Sequence, residues 1–193
     1  AGYLRPGEGT APGLQCLLYH SLLTSMALVM LADDGYAFMV AWETMALCAY
    51  FLVASEHRHA EIRRAAYLYL LISHVGAVGI LLAFGVMAGS SGDYTFDAMR
   101  DFPTSGYWPS VAFLLALFGF GTKAGLLPLH VWLPEAHPVA PSPVSAMMSG
   151  IILKTAVYGV LRIAFDLLHI QLGWWGILLL VVGLSTALFG VIF

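Results

Sequence analysis

Apolar residues in this chain come in stretches of about twenty, broken by short polar punctuation, rather than at the spacing that gives a helix one wet face. A helical run of that length matches the hydrocarbon core of a bilayer. Six spans are predicted, at 14–32, 36–54, 65–88, 109–127, 142–163 and 174–193. Each must be helical, because an unpaired strand in lipid leaves its backbone N–H and C=O groups without partners. The punctuation agrees: Asp33-Asp34-Gly35 reads as a tight turn and Gly89-Ser90-Ser91-Gly92-Asp93 opens a polar loop. Ser142-Pro143 places a capping hydroxyl before a first-turn proline. Trp108, Trp174 and Trp175 stand at span ends, where aromatic belts form.

Composition makes this an integral membrane protein: 60% of the residues are hydrophobic, 10% are charged, and the mean hydropathy is +0.85. The expected fold class is therefore all-α and polytopic. A net charge of −3, with no basic run longer than Arg63-Arg64, gives nucleic acid nothing to bind and excludes it as a partner. Cys16 and Cys48 each lie in an apolar run and read as buried thiols. The loop 55–64 carries Arg58, Arg63 and Arg64, whereas 89–108 carries Arg100 beside Asp93, Asp97 and Asp101, so the first of these loops, and with it 128–141, is expected on the cytoplasmic side. The expected location is the inner (plasma) membrane of the cell, crossed several times. No signal peptide is expected, and a start without methionine together with a finish inside an apolar run suggests part of a longer protein.

Against that background three ionisable residues stand out. A lysine at the centre of a membrane helix costs about 2.5 to 3.5 kcal/mol on insertion, yet Lys123 and Lys154 both sit inside spans, and Glu43 sits in a third. Intramembrane charges of this kind mark ion or proton pathways and need a named partner. Pro128 lacks an N–H and clashes with the carbonyl at Ala124, while Gly125 adds freedom before it, so the fourth helix is predicted to break within a turn of Lys123. Such a break is tolerated where the segment is buried or lines a wet cavity. Lys154 has about ten residues of helix on either side, with Gly150 leaving room on its face and Tyr158 offering a hydroxyl. His74, near mid-depth in the third span, and His130, beside the break, are further relay candidates together with Tyr158. Each has a structural reading too: a neutral hydrogen-bonded Glu43, a Lys123 that snorkels to the interface, a permanently paired Lys154, a core histidine at 74. There is no metal-ligand spacing, nucleophile elbow, phosphate loop or cysteine set for a cluster, so neither a catalytic centre nor a cofactor is expected. Haem is set aside because neither His20 nor His74 has a second histidine seven or fourteen residues along its helix.

The run Gly121-Thr122-Lys123-Ala124-Gly125-Leu126-Leu127-Pro128-Leu129-His130-Val131-Trp132-Leu133-Pro134-Glu135-Ala136-His137, with Ala140-Pro141-Ser142-Pro143-Val144-Ser145 and Leu153-Lys154-Thr155-Ala156-Val157-Tyr158-Gly159, resembles the antiporter-like proton-pumping membrane subunits of respiratory complex I. It is most similar to their relatives in membrane-bound hydrogenases, the large membrane subunits of hydrogenase-4 and formate hydrogenlyase, and is related to the D subunit of multisubunit sodium/proton antiporters. Trp42-Glu43 and Cys48-Ala49-Tyr50-Phe51-Leu52 add a second matching block. The resemblance implies two inverted five-helix repeats, each with one interrupted helix. Residues 1–13 would be a leading loop, 14–166 the first repeat, and 167–193 the start of the second. It implies that Glu43 is the essential glutamate, Lys123 the lysine that pairs with it, Lys154 the central lysine that passes the proton on, and His130 a histidine common in these subunits. Implied partners are other membrane subunits, a peripheral redox arm that holds the redox chemistry, the lipid bilayer, and protons, with Na⁺ as a second candidate ion. Two other readings stay open: a subunit of a cation/proton antiporter, and a scaffold that anchors a redox arm without transport.

Overall fold

The computed structural model describes residues 11–103, 106–169 and 173–192; residues 1–10, most of the expected leading loop, lie outside them. Among the described residues the chain is helical, and its only strand-like feature is one isolated bridge between Asp34 and Thr95. Helix α1 spans Pro12–Leu31, α2 Gly35–Val53, α3 Ala60–Ala88, α4 Phe96–Arg100, α5 Trp108–Ala124, α6 Trp132–Val139, α7 Ser142–Met147, α8 Leu153–Leu161 and α9 Gly173–Ile192. A π-helical stretch, Met148–Ile152, joins α7 to α8, and a second, Arg162–Leu167, follows α8, so that Ser142–Leu167 is one continuous span. Five helices are long and apolar enough to cross a membrane, and α5 is a shorter apolar helix. The six expected spans are thus present, with shifted ends.

Local chemistry sets those ends. The Asp34 carboxylate accepts the Ala37 N–H at 2.8 Å, satisfying a donor that the first turn of α2 leaves over. Thr95 caps α4 in the same way. Backbone hydrogen bonds from Gly35 N–H to Tyr94 O (2.7 Å) and from Phe96 N–H to Asp33 O (3.1 Å) tie the α1–α2 turn to the α3–α5 connection. The stretch expected as a polar loop therefore contains α4, whose Phe96 and Met99 are buried.

The spans pack in the order α1, α2, α3, α5, α8, and α8 returns to touch α1. Water does not drive helices together in lipid, so close packing must. A knot of rings does this at the centre: Phe38 lies 5.5 Å from Phe84 and 5.8 Å from both Trp42 and Phe120, and Trp42 lies 5.2 Å from Phe120. Gly119 lets α5 press on α3, for a Cβ there would stand 2.6 Å from the Gly76 carbonyl oxygen and 2.8 Å from the Ile80 nitrogen. Helix α9 is the outlier, docked on α5 by Trp175 stacked 4.3 Å from Phe113 and by Thr186 Oγ1, which accepts the Leu127 N–H at 3.0 Å. Cys48 is buried as expected, but Cys16 is exposed on the outer face of α1.

Candidate proton-relay site

Lys123 is 1% exposed and sits one residue before α5 stops. The stop has a specific cause. Gly125 adopts the left-handed conformation (φ 69°), which returns its N–H to Gly121 O and lets Leu126 N–H reach the same carbonyl at 3.0 Å. A side chain at 125 would be strained there and would meet Leu133. The chain then turns through Pro128 and His130 before α6 resumes the path at Trp132. Trp132 clamps the break from below, its indole N–H donating to Thr122 O at 2.7 Å.

Among the described residues the Lys123 ammonium has no hydrogen-bond partner. Among the described residues it makes no ion pair, although Glu43 lies within Coulombic range. Its neighbours are ring faces: Nζ lies 4.9 Å from the Trp42 centroid and 5.7 Å from that of Tyr69. Glu43, carried by α2, instead meets His74 of α3, with His74 Nε2 3.4 Å from Glu43 Oε2. Its other oxygen, Oε1, is buried without a partner among the described residues. Orphaned buried groups are rare and mark functional sites or water positions.

Lys154 follows the first π-helical stretch, and its ammonium donates to the Ser149 carbonyl within that stretch at 3.1 Å. π-Helical turns recur at functional sites because they free a carbonyl. The side chain lies on an exposed face of this chain rather than among the other spans, unlike Lys123. Tyr158 does not serve it: its hydroxyl donates to Met30 O at 3.1 Å and accepts from Arg162 at 2.9 Å. His130 is half-buried with Nδ1 unpartnered, and His137 bonds to the Ser145 hydroxyl at 2.9 Å. The structure therefore brings Glu43 to His74, sets Lys123 against Trp42, the residue before Glu43, and leaves Lys154 and Tyr158 on other faces. Among the described residues no cluster of three or more His, Cys, Asp or Glu side chains could hold a metal.

Two features escaped the sequence reading. Tyr69 is fully buried against Trp132, 5.1 Å away, and forms one wall beside Lys123, but it looks like any core tyrosine in the chain. At the opposite end of the bundle from the 55–64 loop, Asp166 takes a two-pronged contact from Arg100 (3.0 and 3.2 Å) and an ion pair from Arg162 at 2.9 Å. Arg162 also reaches Asp33 at 3.7 Å, and Arg100 pairs with Asp97. Arg162 and Asp166 are visible as an i, i+4 pair, but nothing local to 100 announces a partner 66 residues on.

Comparison with known proteins shows the family and the fold. Residues 32–193 match the family model described as NADH:quinone oxidoreductase/Mrp antiporter, transmembrane. Hydrogenase-4 component B of Escherichia coli (strain K12) is 41% identical over 194 residues, covering 99% of this chain and 29% of that protein. Formate hydrogenlyase subunit 3 of the same organism is 31% identical over 180 residues, covering 90% and 27%. In the solved structure of the Mrp complex from Dietzia sp. DQ12-45-1b, a chain 30% identical superposes with a TM-score of 0.80, over 90% of this chain and 19% of that one. The chain thus spans less than a third of the length of either of these two relatives.

Proposed function

Because the chain belongs to the NADH:quinone oxidoreductase/Mrp antiporter membrane family, we propose that it is the proton-translocating first repeat of an antiporter-like subunit, working inside a hydrogenase, formate hydrogenlyase or NADH-quinone oxidoreductase-type complex. In this reading 14–166 form that repeat and 167–193 open a second, inverted one. One observation carries the proposal: a lysine, wholly buried and without a hydrogen bond, placed where a membrane helix is interrupted. A structural lysine would be paired, since an unpaired buried charge is among the most expensive things a fold can hold.

The mechanism is electrostatic. Glu43 and Lys123 form the loading pair, with His74 sharing the carboxylate and His130 beside the break on the entry side. When Lys123 moves from Glu43, its ammonium loses its counter-charge in a low-dielectric setting and the proton is driven toward Lys154. Lys154 then faces the portion of the full protein that lies beyond this chain. Driving one charge against the membrane potential takes about 2.3 kcal/mol per 100 mV, which a redox partner or another ion gradient must supply. The partners are accordingly other membrane subunits and a peripheral redox arm, in the inner membrane, with the chain adding no cofactor of its own.

The likeness to the Mrp complex favours a second reading, exchange of a cation such as Na⁺ for protons. The test is to reconstitute the full-length complex in vesicles and follow proton uptake in Lys123→Ala, Lys154→Ala and Glu43→Gln. Uptake that collapses while electron flow continues supports the relay; uptake that survives all three points to a scaffold. Uptake that depends on a Na⁺ gradient rather than on electron flow identifies an antiporter.

A further inference from the structure

The relay needs its lysine charged at two moments: while paired with Glu43, and after the two have separated. In the structure Lys123 makes no ion pair among the described residues and the Glu43 carboxylate lies beside His74, an arrangement that matches the second of these moments. Something must then hold a positive charge inside the bundle. Nζ lies over two aromatic faces, Trp42 from α2 at 4.9 Å and Tyr69 from α3 at 5.7 Å, both within the roughly 6 Å over which a ring attracts a cation. This attraction is greatest where water is excluded, and Trp42, Tyr69 and Lys123 are 1%, 0% and 1% exposed.

The rings are themselves fixed. Trp42 is wedged between Phe38 and Phe120, and Tyr69 lies edge-on to Trp132, whose N–H grips the carbonyl of Thr122, next to the lysine. Each wall therefore has a support on another helix, and Trp132 ties one of them to the helix break. Trp42 also directly precedes Glu43, so one turn of α2 presents both the carboxylate that pairs with the amine and the ring that receives it after separation.

We infer that Trp42 and Tyr69 are positioning residues, an aromatic cradle that holds the Lys123 ammonium while it is parted from Glu43. The inference rests on the relay reading above and extends it: the cradle keeps the loaded proton on the amine long enough for it to pass forward instead of returning to Glu43 and His74. Its loss lowers the number of protons moved per electron and leaves electron flow in place. The ring of Tyr69 matters for this and its hydroxyl does not.

The test uses the full-length protein in its complex, reconstituted in vesicles, with tryptophan analogues bearing one to four fluorines installed at position 42. Fluorine withdraws charge from the ring face with little change of shape, so a packing role is preserved while the cation's attraction is removed step by step. The proton-to-electron ratio is expected to fall with each fluorine and to approach the Lys123→Ala value at four, as the ring's attraction for the cation is removed. Tyr69→Phe is expected to keep the ratio and Tyr69→Leu to lose it. A flat fluorine series, in a complex where Lys123→Ala is uncoupled, overturns the cradle and leaves the relay standing. Should Lys123→Ala itself keep the wild-type ratio, the relay fails and the cradle with it.

Discussion

His74 Nε2 lies 3.4 Å from Glu43 Oε2, while His74 Nδ1 is 3.1 Å from the Leu70 carbonyl oxygen one turn back on α3. The carbonyl can only accept, so Nδ1 carries a proton and donates it. Nε2 is then the ring nitrogen that faces Glu43, able to accept a proton from that side chain or, once protonated, to pair with its carboxylate. The carboxylate that the family resemblance pairs with Lys123 thus meets a different partner here, on α3.

If this pair is the loading station, His74→Leu leaves Glu43 without a proton-sharing group while filling similar space. Proton uptake by the reconstituted complex is expected to fall about a hundredfold, the lower end of what one positioned acid–base group contributes, with electron flow preserved. Unchanged uptake would make His74 a packing residue.

The helix break supplies a second prediction. Gly125→Ala keeps nearly everything else but puts a Cβ into a left-handed position that costs about 1 to 2 kcal/mol, and that Cβ meets Leu133. The full-length variant is expected to unfold earlier in detergent by that amount. It is also expected to lose coupling, because α5 would end elsewhere and move Lys123. Thermal unfolding and proton uptake measured on the same preparation check both.

Much of this was legible from the chain. Span number and order follow from apolar length, and Gly125 with Pro128 announces the end of α5 because both act on the backbone directly, whatever surrounds them. What the chain could not reveal depends on which side chains meet. His74 gives no local sign that Glu43 lies across from it, Tyr69 none that it faces Lys123, and the Arg100–Asp166 contact joins segments 66 residues apart. The π-helical turns were also invisible, since their composition is that of the helices around them. Tyr158 shows the limit of spacing arguments: four residues from Lys154, its hydroxyl turns to α1 instead.

Close approach of α3 and α5 sets the distance between Tyr69 and Lys123, and Gly119 permits it. Gly119→Ala would drive a Cβ against two backbone atoms, the Gly76 oxygen and the Ile80 nitrogen, neither of which can rotate away. Destabilisation of about 1 to 3 kcal/mol is expected, the usual cost of overpacking. Gly150→Ala, at a position with nothing within 4 Å, is the matched control and is expected to be neutral. Equal stability of the two variants, by denaturant or heat, would show that α3 and α5 tolerate separation.

The ion cluster at the other end of the bundle ties the α4 segment to the last π-helical stretch of the fifth span. The Asp166 carboxylate, through its hydrogen bond, holds the Arg100 guanidinium above its ordinary value, so that side of the contact stays charged throughout the workable pH range. Both side chains are about one-third exposed, which keeps the contact within reach of water and salt. A double-mutant cycle with Arg100→Gln and Asp166→Asn in the full-length protein is therefore expected to give a coupling energy of about 1 kcal/mol, at the upper end for exposed pairs because the contact is two-pronged. Raising the ionic strength from about 0.01 M to about 1 M shortens the screening length from roughly 30 Å to roughly 3 Å, and the coupling is expected to shrink without vanishing. Arg162 shares the same carboxylate at 2.9 Å, so Arg162→Gln is expected to strengthen the Arg100 coupling rather than abolish it. Zero coupling in the cycle would show that the two segments are held by Phe96 and Met99 in the core instead of by charge.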